Sequence, residues 1–322
     1  MKSKQNNILS RRNFVTQTTL AAAGLLSVNM PVRAMTVAPS IFSSQSTSTK
    51  YQFNLKYAPH IGMFKNLAGE NPIDQLEFMA DHGFTAFEDN NMANRSISLQ
   101  EKMASTMQKR GITMGVFVGY KNFGKPTLAG GKKEDRQNFI QQIRASVETA
   151  KRVNAKWFTV VPGTIDMRLV EDYQTANVIE SLKLATEILE PEGLVMVLEP
   201  LNWYRNHPGL FLKESPQAYQ ICKAVDSPSC KILFDIYHQQ IQEGNLIPNI
   251  EKCWDEIGYF QIGDNPGRKE PTTGEINYKN IFKYIHNKGF KGILGMEHGN
   301  SRPDKDGELA VIEAYKKVDS FL

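Results

Sequence analysis

Cysteine is scarce: Cys222, Cys230 and Cys253 are the only three in 322 residues. That number is too small and too odd for a disulfide framework, and no pair has the two-residue spacing of a zinc site. Uninterrupted apolar runs are missing too. The longest, Leu20 to Val28, is broken by Gly24 and Ser27 and is too short to span a bilayer. No glycine-rich turn follows the first β-like run, which removes the usual mark of a dinucleotide-binding doubly wound sheet. Excess charge is lacking once the chain is divided. There are 38 basic and 34 acidic residues. The first 49 residues hold Lys2, Lys4, Arg11, Arg12 and Arg33 and no acid, so from Lys50 onward 38 less 5 leaves 33 basic residues against 34 acidic. A near-neutral body excludes a basic nucleic-acid footprint. What remains, with 41% hydrophobic and 10% aromatic residues, is the composition of a globular protein.

The basic beginning has its own pattern. Ser10-Arg11-Arg12-Asn13-Phe14-Val15 precedes the mild apolar stretch and resembles a twin-arginine export signal. The expectation is an exported, periplasmic protein handled by the twin-arginine export machinery, with no permanent membrane anchor. Residues 1–38 would be the signal, 39–50 a Ser/Thr-rich linker, and 51–322 a single catalytic domain.

From residue 51 onward, short apolar runs alternate with amphipathic stretches. The runs are Phe53–Ala58, Phe84–Glu88, Ile112–Val118, Trp157–Val161, Leu194–Glu199, Lys231–Asp235, Gly258–Ile262 and Gly292–Glu297. Helical patterns are predicted from Asn71-Pro72 and over 99–110, 134–153, 169–191, 216–225, 278–288 and 309–322, with a shorter one over 241–256. Gly83, Gly111, Gly193 and Gly289 stand where helices should end. Eight strand–helix units in about 270 residues predict one (β/α)8 TIM barrel.

In such barrels the chemistry sits at the C-terminal ends of the strands. Four consecutive runs carry a ligand-type residue there: Glu199, Asp235, Gln261 and Glu297. Three carboxylates brought together repel, and a divalent cation relieves that repulsion. An all-oxygen donor set favours Mg2+ or Mn2+ over zinc. His238 lies three residues past Asp235. Arg268 falls in the turn-rich Gly263–Arg268 loop, and Arg205 lies six residues past Glu199, which places two cations on loops beside the mouth. Gly130-Gly131-Lys132-Lys133 has a composition that suits a lid over the mouth and equally a flexible solvated loop.

These residues carry a resemblance. Leu-Glu199-Pro-Leu-Asn202, Phe-Asp235-Ile-Tyr-His238, Gly-Asn245-Leu, Phe-Gln261-Ile, Arg268-x-Glu270-Pro271, Gly274-Glu275-Ile-Asn277-Tyr278 and Gly292-x-x-x-Met-Glu297 are similar to the xylose-isomerase-like barrels, most closely the hydroxypyruvate isomerase family. The first half matches only loosely, through Asn54-Leu and Gly83-Phe-x-x-x-Glu88. The resemblance implies that Glu199, Asp235, Gln261 and Glu297 are metal ligands and that Glu199 and Glu297 are the acid/base pair. It implies that His238, Arg268 and Arg205 bind substrate. Asn277 is expected to cap a helix and Glu275 to support the loop before it. Two departures stand out, namely the export leader and a loop after Glu199 that runs longer before its arginine.

The implied reaction is proton transfer through an enediolate, one glutamate removing a proton beside a polarised carbonyl and the other returning it. For hydroxypyruvate the product would be tartronate semialdehyde. An exported sugar or keto-sugar epimerase or isomerase is the alternative, and a non-catalytic carbohydrate-binding barrel a second one. The partner is a small-molecule hydroxycarbonyl compound or sugar; a homo-oligomer is compatible with the sequence but is marked by no feature of it.

Overall fold

The computed structural model describes residues 50–322, so the expected export signal and nearly all of the expected linker lie outside the described residues. In chain order the elements are β1 (Lys56–Ala58), α1 (Lys65–Ala68), α2 (Pro72–Asp81), β2 (Ala86–Phe87), α3 (Ile97–Arg110), β3 (Thr113–Met114), β4 (Val118–Lys121) and α4 (Lys133–Val153). There follow β5 (Trp157–Val161), α5 (Glu171–Leu189), β6 (Val195–Leu198), α6 (Ser215–Val225), β7 (Cys230–Asp235), α7 (Ile236–Gln242) and α8 (Leu246–Cys253). The series ends with β8 (Ile257–Gln261), α9 (Tyr278–Asn287), β9 (Ile293–Gly295) and α10 (Lys305–Asp319).

All strand pairs are parallel. Seven strands run in the order β1-β9-β8-β7-β6-β5-β4, β2 pairs β3, and a bridge between His60 and Glu88 joins β1 to β2. This is the (β/α)8 barrel, with its third position split. The run expected over Ile112–Val118 breaks into β3, which pairs backward with β2, and β4, which pairs forward with β5. Gly115 lies at the break, tight against Tyr259 of the opposite wall, where a side chain would collide with that ring's hydroxyl.

Two apolar layers hold the barrel. Ala58, Ala86, Val116, Val195, Val197, Leu233, Tyr259 and Ile293 fill its interior. The alternate strand residues, such as Met196, Leu198, Phe234 and Phe260, face outward into the larger core shared with the helices. Period-2 alternation thus sorts every strand into an inner and an outer row. The helix starts follow their chemistry. Asn71 accepts from the Ile73 N–H ahead of Pro72, and Ser96 and Asp304 cap α3 and α10. Because Asp304 is the cap, α10 starts at Lys305, four residues before the predicted position. Gly83, Gly111, Gly193 and Gly289 all have positive φ. None of the described helices is long and apolar enough to cross a membrane.

The segment with a lid-like composition is pinned down. Gly130 and Gly131 donate to Pro126 and Leu128, Leu128 donates to Pro162, and Asn177 holds the Ala129 carbonyl. Leu128 and Ala129 are buried.

The first strand of the barrel and its last helix are clasped by one buried carboxylate. Asp319 of α10 accepts from the Asn54 N–H at 2.7 Å and the Tyr57 hydroxyl at 2.8 Å. Asp319→Ala is expected to cost about 1–3 kcal/mol, because it strands the buried hydroxyl of Tyr57. Chemical denaturation checks this, and an unchanged midpoint would show that the clasp adds nothing.

Candidate active site

The interior row of each strand predicts what stands at the mouth. Two residues beyond an inward apolar side chain, the next inward position is polar: Ala58 leads to His60, Ala86 to Glu88, Val197 to Glu199, Leu233 to Asp235, and Tyr259 to Gln261. On β9 the step runs from Ile293 through Gly295 to Glu297. Asp235 and Gln261 are register partners, as are Gln261 and Gly295. The rim therefore gathers Glu88, Glu199, Asp235, Gln261 and Glu297 by strand geometry alone.

Arg268 sits among these acids. Its Nη2 donates to Asp235 Oδ2 at 2.9 Å and to Glu297 Oε2 at 2.7 Å, and its Nε donates to the Glu297 carbonyl at 3.1 Å. The guanidinium also lies 4.9 Å from the Tyr237 ring centre. To reach this position Arg268 adopts φ +48°, a left-handed conformation that a side chain resists. Asp264 holds the loop in shape, accepting from Arg268 N through its carbonyl and from the Gly274 and Ile276 N–H groups through its carboxylate. Burial works against the arginine's charge, but Glu297 and Asp235 outweigh it and raise the guanidinium pKa.

Even so, the acids are not fully neutralised. Burial, then repulsion from Glu297 and Asp235, pushes Glu199 well above the ordinary carboxylate range. Burial also raises Asp235 and Glu297, with Arg268 opposing. Glu88 is raised well above its usual value by burial and by Glu297, although the Tyr259 hydroxyl and Gln261 Nε2 donate to it at 3.0 and 3.4 Å.

The donor set fits a divalent cation. Gln261 gives its amide N–H to Glu88, which leaves Oε1 buried with no partner among the described residues. Asp235 commits Oδ1 to capping α7, accepting from Tyr237 N and His238 N, and keeps Oδ2 for the centre. Asn90 Nδ2 holds Glu297 Oε1 at 2.7 Å. Ligand atoms of Glu199, Asp235 and His238 lie within 4.8 Å of one another. His238 Nε2 is 3.6 Å from Asp235 Oδ2 and 4.0 Å from Glu199 Oε1.

Six of the seven residues singled out from the sequence converge here. Arg205 does not: it is exposed, and among the described residues only its backbone N–H is bonded, to Asn202. The loop after Asn202 turns Arg205 outward and brings His207 in instead. That ring lies 5.4 Å from His238 and 5.2 Å from half-exposed Phe123. Burial and then Arg268 lower its pKa. His207 was visible in the Asn-His-Pro-Gly segment of the sequence, but no spacing rule set it apart. Asn277 caps α9 and Glu275 accepts from Asn265, as expected.

Fold and site together define a parallel α/β barrel with an acidic, cation-seeking centre at the C-terminal ends of its strands. The family model described as Xylose isomerase-like TIM barrel matches residues 76–318, and the chain belongs to that family. It is 33% identical over 168 residues to the hydroxypyruvate isomerase of Escherichia coli K12, covering 52% of this chain and 64% of that one. It is 35% identical over 123 residues to a 2-oxo-tetronate isomerase of Cupriavidus necator, covering 38% and 47% respectively. The chain thus spans less than two thirds of the length of these curated relatives. In fold it is similar to an AP endonuclease family 2 structure from Brucella melitensis, with a TM-score of 0.69 at 24% identity over 81% of this chain and 99% of that one.

Raised carboxyl pKa values mean that protons and a divalent cation compete for the same oxygens. In the cation-free protein these groups favour folding at low pH, and the contribution fades as pH climbs out of the carboxylate range, about 4. Mn2+ affinity is therefore expected to rise with pH from that range toward neutrality, with protons released on binding. Calorimetry in two buffers of different ionisation enthalpy measures this; pH-independent binding without proton release would contradict it.

Proposed function

We propose that this protein is a divalent-metal-dependent isomerase of small α-hydroxycarbonyl compounds, of the hydroxypyruvate isomerase type. The observation that carries it is the pair Glu199 and Glu297: both lie on the inward row of the rim, three strands apart, with Asp235 and Gln261 between them. Glu199, Asp235, Gln261 and Glu297 would hold the cation, Mg2+ or Mn2+ by the hardness of the oxygen donors. When bound, such an ion polarises a carbonyl and acidifies the neighbouring C–H.

The chain's own residues do the rest. A carboxylate whose burial raises its pKa above the ordinary range is suited both to take and to return a carbon-bound proton. One glutamate removes it, the resulting enediolate keeps its negative charge within reach of Arg268, and the second glutamate delivers a proton. Delivery to the neighbouring carbon, with the hydroxyl proton passing to the former carbonyl oxygen, gives aldose–ketose isomerisation, whereas delivery to the opposite face of the same carbon gives epimerisation. Arg268 suits a substrate carboxylate, since a guanidinium matches that group in charge and shape. The identities with hydroxypyruvate and 2-oxo-tetronate isomerases support this class.

A second reading is an epimerase or isomerase of larger sugars. A cleft of about 310 Å3 opens beside Glu297, lined by His60, Glu88, Asn90, Asn91 and Arg95 among others. Amide side chains there suit hydroxyl groups, and the volume exceeds what a three-carbon acid needs. The Ser10–Val15 leader supports export to the periplasm and a catalytic domain beginning near residue 51; both belong to this proposal.

Deuterium uptake next to the carbonyl, followed on Mn2+-loaded protein with hydroxypyruvate and a panel of ketoses, tests the class and separates the two readings. Glu199→Gln and Glu297→Gln should each lower turnover by about 10²- to 10⁴-fold while leaving the fold intact. Full activity in both variants would remove the mechanism.

A further inference from the structure

His238 is fully buried, and its Nε2 points toward Glu199 and Asp235 with no hydrogen-bond partner among the described residues. Whether that nitrogen offers a proton or a lone pair decides what the ring does. A lone pair would make it a metal ligand, and a proton would make it a donor to a substrate oxygen. The answer lies on the far side of the ring, at Asn202.

Asn202 is completely buried. Its Oδ1 accepts from two backbone N–H groups, those of Arg205 at 3.1 Å and Asn206 at 3.0 Å. Backbone amides only donate, so this end of the side chain is the oxygen and the other end is the NH2 group. That NH2 lies 2.6 Å from His238 Nδ1 and 3.0 Å from Asn206 Oδ1. The backbone N–H of Asn202 also donates to His238 Nδ1, at 3.3 Å. Two N–H donors thus converge on one ring nitrogen, which must present its lone pair to them.

We propose that Asn202 is a positioning residue that keeps the proton of His238 on Nε2, so that the ring faces the site as a hydrogen-bond donor and stays outside any metal shell. Moving the proton to Nδ1 would set N–H against N–H in a dry environment, and each lost buried bond is costly. A doubly protonated ring is disfavoured by the same contact, because a proton on Nδ1 would face the two Asn202 N–H donors. Contacts with Tyr237 and His207, each with ring centres 5.4 Å from His238, restrict the ring further. Asp235, Gln261, Glu199 and Glu297 then form an all-oxygen set, and an N–H beside them is free for a carbonyl or hydroxyl oxygen of the substrate. The role rests on the site proposed above, but its measurement needs neither metal nor turnover.

The test is a long-range 1H–15N correlation spectrum of the full-length, metal-free protein, with the His238 signals identified by their loss in His238→Gln. The expected result is an unprotonated Nδ1 and a protonated Nε2. In Asn202→Asp the carboxylate still accepts from the Arg205 and Asn206 amides but now also accepts from the ring, so the proton should shift to Nδ1. A wild-type ring protonated on Nδ1 overturns the proposal, whatever the variants do. So does a spectrum in which adding Zn2+ shifts His238 Nε2 as direct ligation would. An unchanged tautomer in a folded Asn202→Asp protein would remove Asn202 as its cause. If the tautomer is as proposed and no substrate exchanges deuterium, the functional proposal fails and this assignment stands.

Discussion

Four carboxylates, Glu88, Glu199, Asp235 and Glu297, share the top layer of one barrel interior, and their mutual repulsion is the constraint that the surrounding structure answers. Each has its own means of relief. Asp235 accepts two backbone N–H groups at the start of α7, Glu297 has Asn90, Glu88 has Tyr259 and Gln261, and Arg268 bridges Asp235 and Glu297. Glu199 has least, with a weak approach from His238, and accordingly it is raised far above its usual pKa. The cost of Arg268's left-handed backbone, about 1 kcal/mol or more, is small beside the attraction of a guanidinium to one fully buried and one partly buried carboxylate. Asp264 explains how that conformation persists, since its carboxylate and carbonyl tie down three amides of the same loop.

Much of this was legible in the sequence because strands impose a period of two. Val-Met-Val-Leu-Glu199 and Ile-Leu-Phe-Asp235 each announce an inward apolar residue followed two places later by an inward acid, and the barrel rule says which end bears the chemistry. The missed features depend on long-range fits that no local pattern carries. Gly115 breaks the third strand because Tyr259, from the opposite wall, occupies the space a side chain would need. The helix directly after β7 was legible in principle, since an acid at a strand end can cap the next turn. Reading Asp235 only as a ligand hid α7 (Ile236–Gln242) and placed the helix five residues too late. Arg205 was placed at the mouth by counting residues along a loop. Its true direction follows from Asn202, whose Oδ1 gathers the amides of Arg205 and Asn206 and turns the loop outward.

The rim and the loops divide the labour unevenly around the barrel. In the rim layer the polar inward residues come from β1, β2 and β6 to β9 or just past their ends, whereas β5 contributes Val161, which packs with Leu201 and Leu210 in a small apolar cluster, with buried Thr159 one layer below. In the proposed reaction the reacting carbons would lie against the β6–β9 side, where Glu199 and Glu297 stand. The rest of a substrate has two ways to extend from there. One leads toward Asn90, Asn91 and Arg95, and the other toward His207 and Phe123. The first route starts at Glu297 itself, whose Oε1 is held by Asn90, while the second passes from His238 through His207. In the proposed reaction the oxygen ligands and paired glutamates would set the reaction type, and the loops along these two routes would set which substrate fits.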